Sequence, residues 1–192
     1  MSLGLDLCFG AADRLPIDRM AAEEVIISSL SHYLGRDVVN SEDLEWGDRD
    51  TPVWTVHVWC DRDTASWMDD GTEGHMDQSD ASRQELTIRV RPGLGKGDTV
   101  QILAHETAHV AQVIEGSITD LLAVSLQADA WAARPVEVDA ITRTAEWVGI
   151  ANPAALYVTP RVWANAVARA AWETEEVSFQ EWKAGRGLGP AA

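Results

Sequence analysis

The stretch from Asp98 to Gly116 constrains this chain more than any other. Val100, Leu103, Ala104, Ala111 and Ile114 recur at helical spacing. Asp98 offers an N-terminal cap with Gln101 three residues on, and Gly116 offers a stop. Inside this apolar helix stands Leu103-Ala104-His105-Glu106-Thr107-Ala108-His109, an H-E-x-x-H arrangement. Residues four apart on a helix differ by only about 40° around its axis, so both imidazoles can reach one metal ion at about 2.0 to 2.1 Å. Glu106 lies about 100° round from His105, beside such an ion, where a carboxylate can take a proton from water. Burying two histidines and a glutamate without a metal or partners is costly. The pattern therefore reads as a metal site and a general base.

Other segments supply a scaffold. Ile17, Met20, Ala21, Ile27, Leu30 and Leu34 recur at helical spacing between Pro16 and Leu34, and Gly35 follows as a stop. This predicts an amphipathic helix packed behind a sheet. Val53 to Trp59 alternates and is rich in β-branched and aromatic residues, and Leu86, Ile88 and Val90 alternate with Thr87, Arg89 and Arg91. Both read as strands. Asp61 to Ser82, crowded with Asp, Ser, Thr and Gly, has no apolar period and reads as a long loop, a lid or a mobile surface segment. Gly93-Leu94-Gly95-Lys96-Gly97 lacks the Gly-Lys-Ser/Thr ending of a phosphate-binding loop and reads as a turn. Leu121, Val124, Ala128 and Trp131 suggest a helix, Pro135 suits the first turn of another running toward Gly149, and Thr159-Pro160 opens the last. The whole reads as an α+β fold, a single domain over residues 1–172 followed by an acidic, then Gly-rich tail over 173–192.

Composition narrows the function. A chain of 192 residues that is 46% hydrophobic can bury a core without a metal to hold it together, so a metal site here is chemistry first. The net charge of −16 repels phosphate backbones, which disfavours nucleic acid as a partner. Cys8 and Cys60 alone do not make a disulfide framework, and the start MSLGLDLCFG carries no basic leader. With no apolar run of about 18 residues or more, no membrane span is expected, and the expected location is the cytoplasm. The sequence leaves the oligomeric state open.

A catalytic zinc site normally has three protein ligands and an open fourth position. No histidine follows His109, and His32, His57 and His75 lie upstream in a helix, a strand and the acidic loop. The remaining candidates are downstream carboxylates, chiefly Glu115, Asp120, Asp129, Glu137, Asp139 and Glu146. Glu137 shares a helical phase with Ile141, Thr144 and Val148, whereas Asp139 aligns with Arg143 and Glu146, so Glu137 faces inward.

With these residues the chain resembles the gluzincin zinc metallopeptidases, in which H-E-x-x-H on one helix is completed by a glutamate on a later one. The resemblance covers roughly His105 to Trp147. Arg134-Pro135-Val136-Glu137-Val138-Asp139-Ala140 is similar to the glutamate-helix signature of short bacterial and phage-type members. An aspartate four residues after the ligand, carried by some larger members, is replaced here by Ile141. The resemblance implies a zincin-like fold, with a small mixed or antiparallel sheet, a backing helix, an active-site helix and a glutamate helix. It implies Zn2+ held by His105, His109 and Glu137, and hydrolysis of a peptide or protein substrate by zinc-activated water with Glu106 as base. Tyr157, after the glutamate helix, is a candidate to stabilise the oxyanion, and Trp67 in the acidic loop a candidate to shape a cleft. The competing reading is a metal-binding regulatory or interaction protein on the same scaffold, with little turnover.

Overall fold

The computed structural model describes residues 2–44, 51–61, 73–80, 84–117 and 135–150. Two compact units separate along the chain, Met1–Leu121 and Leu122–Ala192. The first holds a five-stranded mixed sheet with strands β1 (Leu3–Ala11), β2 (Val38–Asn40), β3 (Val53–Trp59), β4 (Gly74–Asp80) and β5 (Glu85–Val90) in the order β2-β1-β3-β5-β4. The first four in that order run parallel, and β4 is antiparallel to β5 at the edge.

Period-two alternation decides which face of the sheet is buried. Leu3, Leu5 and Leu7 of β1, Val56 and Val58 of β3, and Leu86, Ile88 and Val90 of β5 are all buried. They align across strands: Leu7 stands beside Val56 and Val56 beside Leu86, while Val58, Ile88 and Met76 form a second row. Each such side chain contributes on the order of 1.5–3 kcal/mol through burial.

Among the described residues of this unit, two α-helices accompany the sheet. Helix α1 (Arg19–Leu34) starts where the Asp18 side chain accepts from the Ala21 backbone N–H at 2.8 Å, and it ends at Gly35 in the left-handed region with φ 58°. It begins later than the expected Pro16 because Asp18 is the cap. Helix α2 (Lys96–Ile114) packs against α1, β4 and β5. Its cap is Gly95 and not the expected Asp98, which lies in the first turn instead. The Thr99 backbone N–H and hydroxyl both bond the Gly95 carbonyl, each at 2.9 Å, which pulls the helix start back by one turn. At the other end Gly116 has φ 70°, donates to the Val113 carbonyl at 3.0 Å, and is followed by a Ser117 N–H that donates to the Gln112 carbonyl at 3.0 Å. This is the Schellman closure that the Gly116 stop implies.

The expected loop over Asp61–Ser82 is corrected in part: residues 74–80 form the edge strand β4. Its sequence, GHMDQSD, carries one apolar side chain, Met76, so no hydrophobic pattern marks it. Pairing with β5 makes it a strand. Residues 62–72, with Trp67, lie outside the described residues. Two strands have no counterpart among the sequence expectations, β1 and β2.

In the second unit the described residues form helix α3 (Pro135–Val148). Glu137, Ala140, Ile141, Thr144 and Ala145 are buried, a stripe at i, i+3, i+4, i+7 and i+8. Ala145 takes the place expected for Val148, which is half-buried. Gly149, with φ 74°, donates to the Glu146 carbonyl, and Ile150 donates to the Ala145 carbonyl, closing this helix like α2. Among the described residues no helix is long and apolar enough to cross a membrane.

Candidate metal centre

Helix α2 is buried on every side from Ile102 to Val113. Leu103, Ala104, Ala108, Val110 and Ala111 supply apolar contact, and within them His105, Glu106 and His109 are almost entirely removed from solvent. The same burial that makes Leu103 a core residue makes these three polar side chains costly unless they have a task and partners. The backbone beneath them is secured from another element: the Tyr33 hydroxyl of α1 donates to the Ala104 carbonyl at 3.1 Å. Thr107, on the far side of the motif, donates its hydroxyl to the Leu103 carbonyl.

The two imidazoles meet as the four-residue spacing requires. Their ring centroids are 4.8 Å apart and their planes are inclined at 88°. His105, His109 and Glu137 each offer one ligand atom, and these atoms all lie within 4.8 Å of one another. All three residues are buried, and the group takes in none of His32, His57 and His75. His32 and His75 are exposed, and His57 is half-buried. Two imidazole nitrogens and one carboxylate oxygen are the kinds of donor that hold a metal ion. A buried His-His-Glu group able to hold a metal ion is therefore present.

The other carboxylates lie elsewhere. Glu115 and Glu146 are exposed. Asp139 is engaged one turn along its own helix, with Arg143 Nε 2.8 Å from its Oδ2, which accounts for the outward phase expected of it. Asp120, Asp129 and Tyr157 lie outside the described residues, as do the helices expected around Trp131 and after Pro160 and the tail over 173–192.

Two residues beside the motif have no counterpart in the sequence reading. Gln112, buried, places its side-chain oxygen Oε1 2.8 Å from His109 Nδ1. Its position three residues after His109 puts it on the same helix face, and that spacing is a signal that was present in the sequence. Gly74 of β4 lies directly against Glu106: a Cβ there would stand 2.6 Å from Glu106 Oε1 and in collision with Ile102 Cγ2. No local pattern announces this approach, because it depends on how β4 pairs with β5 and how α2 packs on both.

Compared with protein-family models, with curated proteins and with solved structures, the chain matches none.

Proposed function

We propose that the chain is a zinc-dependent metallopeptidase of gluzincin type, with a zincin-like fold, in which His105, His109 and Glu137 hold the metal and Glu106 is the general base. The observation that carries this reading is the convergence of the three buried ligand atoms within 4.8 Å, with Glu106 on the same helix as two of them. Three protein ligands are the number that leaves a catalytic zinc one open position. When bound, zinc would supply Lewis-acid polarisation of the scissile carbonyl and a lowered pKa for water.

The remaining work falls to the protein. Glu106, buried beside His105 but offset around the helix, accepts the proton of the attacking water and passes it to the amine nitrogen as the peptide bond breaks. The amine then leaves neutral, and the carboxylate is restored. Gly74 sets the limit on one side of the Glu106 carboxylate, since a larger residue in β4 would occupy its position. The substrate under this reading is a peptide or protein, approached by a surface of strongly negative net charge, −16 over the chain.

The test is metal content of the purified protein measured together with cleavage of a mixed peptide library. One zinc per chain with cleavage that a chelator abolishes and zinc restores is the expected result. Metal-independent cleavage, or a metal-loaded protein that cleaves nothing in the library, would count against it.

A further inference from the structure

We infer that Gln112 is a positioning residue that holds His109 in its Nδ1–H tautomer and so leaves the Nε2 lone pair for a cation. The inference rests on the metallopeptidase reading and adds a residue to it that the H-E-x-x-H pattern does not include.

A neutral imidazole carries one proton on its two nitrogens, and only the other nitrogen can bind a metal. Gln112 Oε1 stands 2.8 Å from His109 Nδ1, and an amide oxygen only accepts. The contact is therefore a hydrogen bond only when Nδ1 bears the proton. The reversed amide would donate its NH2 to the Nδ1 lone pair, put the imidazole proton on Nε2, and leave neither nitrogen for a metal. Ligation by His109 and this contact thus select the same tautomer.

The place of Gln112 in the fold makes the bond firm. The residue is buried, and its own backbone carbonyl closes the C-terminus of α2 by accepting from both the Ser117 N–H at 3.0 Å and the Ser117 hydroxyl at 2.9 Å. Its backbone is thus fixed by the helix stop at Gly116 while its side chain reaches back one turn to His109. A residue in this relation to a ligand orients the ring and raises its basicity, and loss of such partners typically costs about 10- to 100-fold in metal affinity.

The test compares the parent with Gln112→Met, which keeps length and removes the acceptor, and Gln112→Glu, which keeps an acceptor. Two readouts are taken: zinc affinity by competition with a chromophoric chelator, and the His109 tautomer by ¹⁵N NMR of the metal-free protein at a pH where imidazole is neutral. The expected result is a single Nδ1–H form in the parent and in Gln112→Glu. Gln112→Met should shift His109 toward the Nε2–H form that free histidine prefers, and should bind zinc about 10- to 100-fold more weakly. An Nε2–H tautomer in the metal-free parent would overturn the inference, as would parental zinc affinity in a folded Gln112→Met protein. Should Gln112→Met fail to fold, the tautomer in the parent and in Gln112→Glu still decides it. A parent that binds no zinc but shows the Nδ1–H form, lost in Gln112→Met, would defeat the metallopeptidase reading and leave the positioning role of Gln112 standing.

Discussion

Gly74 of β4 and Glu106 of α2 stand so close that a methyl group on the glycine would lie 2.6 Å from Glu106 Oε1. Only a residue without a side chain lets the edge strand run past the proposed base while leaving its carboxylate in place. Gly74→Ala is therefore expected to displace the carboxylate, because the alternative is to push a backbone paired with β5. Turnover should fall by about 10²-fold, the size of effect that follows from misplacing a reacting group by about 1 Å. Zinc content should stay at the parental level, since Glu106 is not a ligand under this account. Steady-state kinetics beside metal analysis checks it, and undiminished turnover would show that Glu106 has room the geometry denies it.

Glu137 and Asp139 stand two positions apart on α3 but in opposite surroundings. Glu137 is buried with its ligand atom within 4.8 Å of those of His105 and His109, whereas Asp139 pairs with Arg143. Glu137→Ala should lower zinc occupancy sharply, because it removes the anionic ligand oxygen and leaves two neutral imidazoles. Asp139→Ala should leave occupancy near the parental value and cost at most about 1 kcal/mol of stability, the usual worth of a surface ion pair. Zinc titration of both variants is the measurement. Equal retention by Glu137→Ala, or a greater loss in Asp139→Ala, would contradict the ligand assignment.

Cys60 sits at the end of β3 with its side chain buried, and burial pushes its thiol up to about 11, with Asp61 and Asp13 adding to the effect. The unfolded chain ionises this thiol near the ordinary value of about 8.5. Between those two values the unfolded state binds fewer protons than the folded state, so stability falls as pH rises. The contribution of Cys60 is complete below about 8.5 and is lost by about 11. Urea unfolding of the parent and of Cys60→Ala across that range should show the steeper decline in the parent. The native protein should also resist alkylation at Cys60 at neutral pH. Parallel pH profiles, or rapid labelling, would contradict this placement.

How much was legible depends on how local each feature is. The α2 helix, strands β3 and β5, the inward phase of Glu137 and the stops at Gly35, Gly116 and Gly149 follow from periodicity and glycine chemistry within a few residues. β1 carried its signal openly in Leu3, Leu5 and Leu7, whose alternation is that of a strand with one buried face. β4 carried almost none, since an edge strand with one buried apolar residue is made by its ladder to β5. The α2 cap moved from Asp98 to Gly95 because Thr99 bonds the Gly95 carbonyl twice, a competition that residue type alone does not rank. The contact between Gly74 and Glu106 spans a strand and a helix distant in sequence, and no motif encodes such an approach.

Turnover by Glu106→Gln at full zinc occupancy asks whether Glu106 acts, as we propose, as a base at a metal held by its neighbours. The amide matches the carboxylate in shape, so fold and zinc content should be those of the parent. It cannot accept a proton from water, so peptide cleavage should fall by at least the 10²- to 10⁴-fold, roughly, that general-base catalysis supplies. A zinc-loaded Glu106→Gln protein that cleaves peptides as fast as the parent would show that Glu106 is not the base.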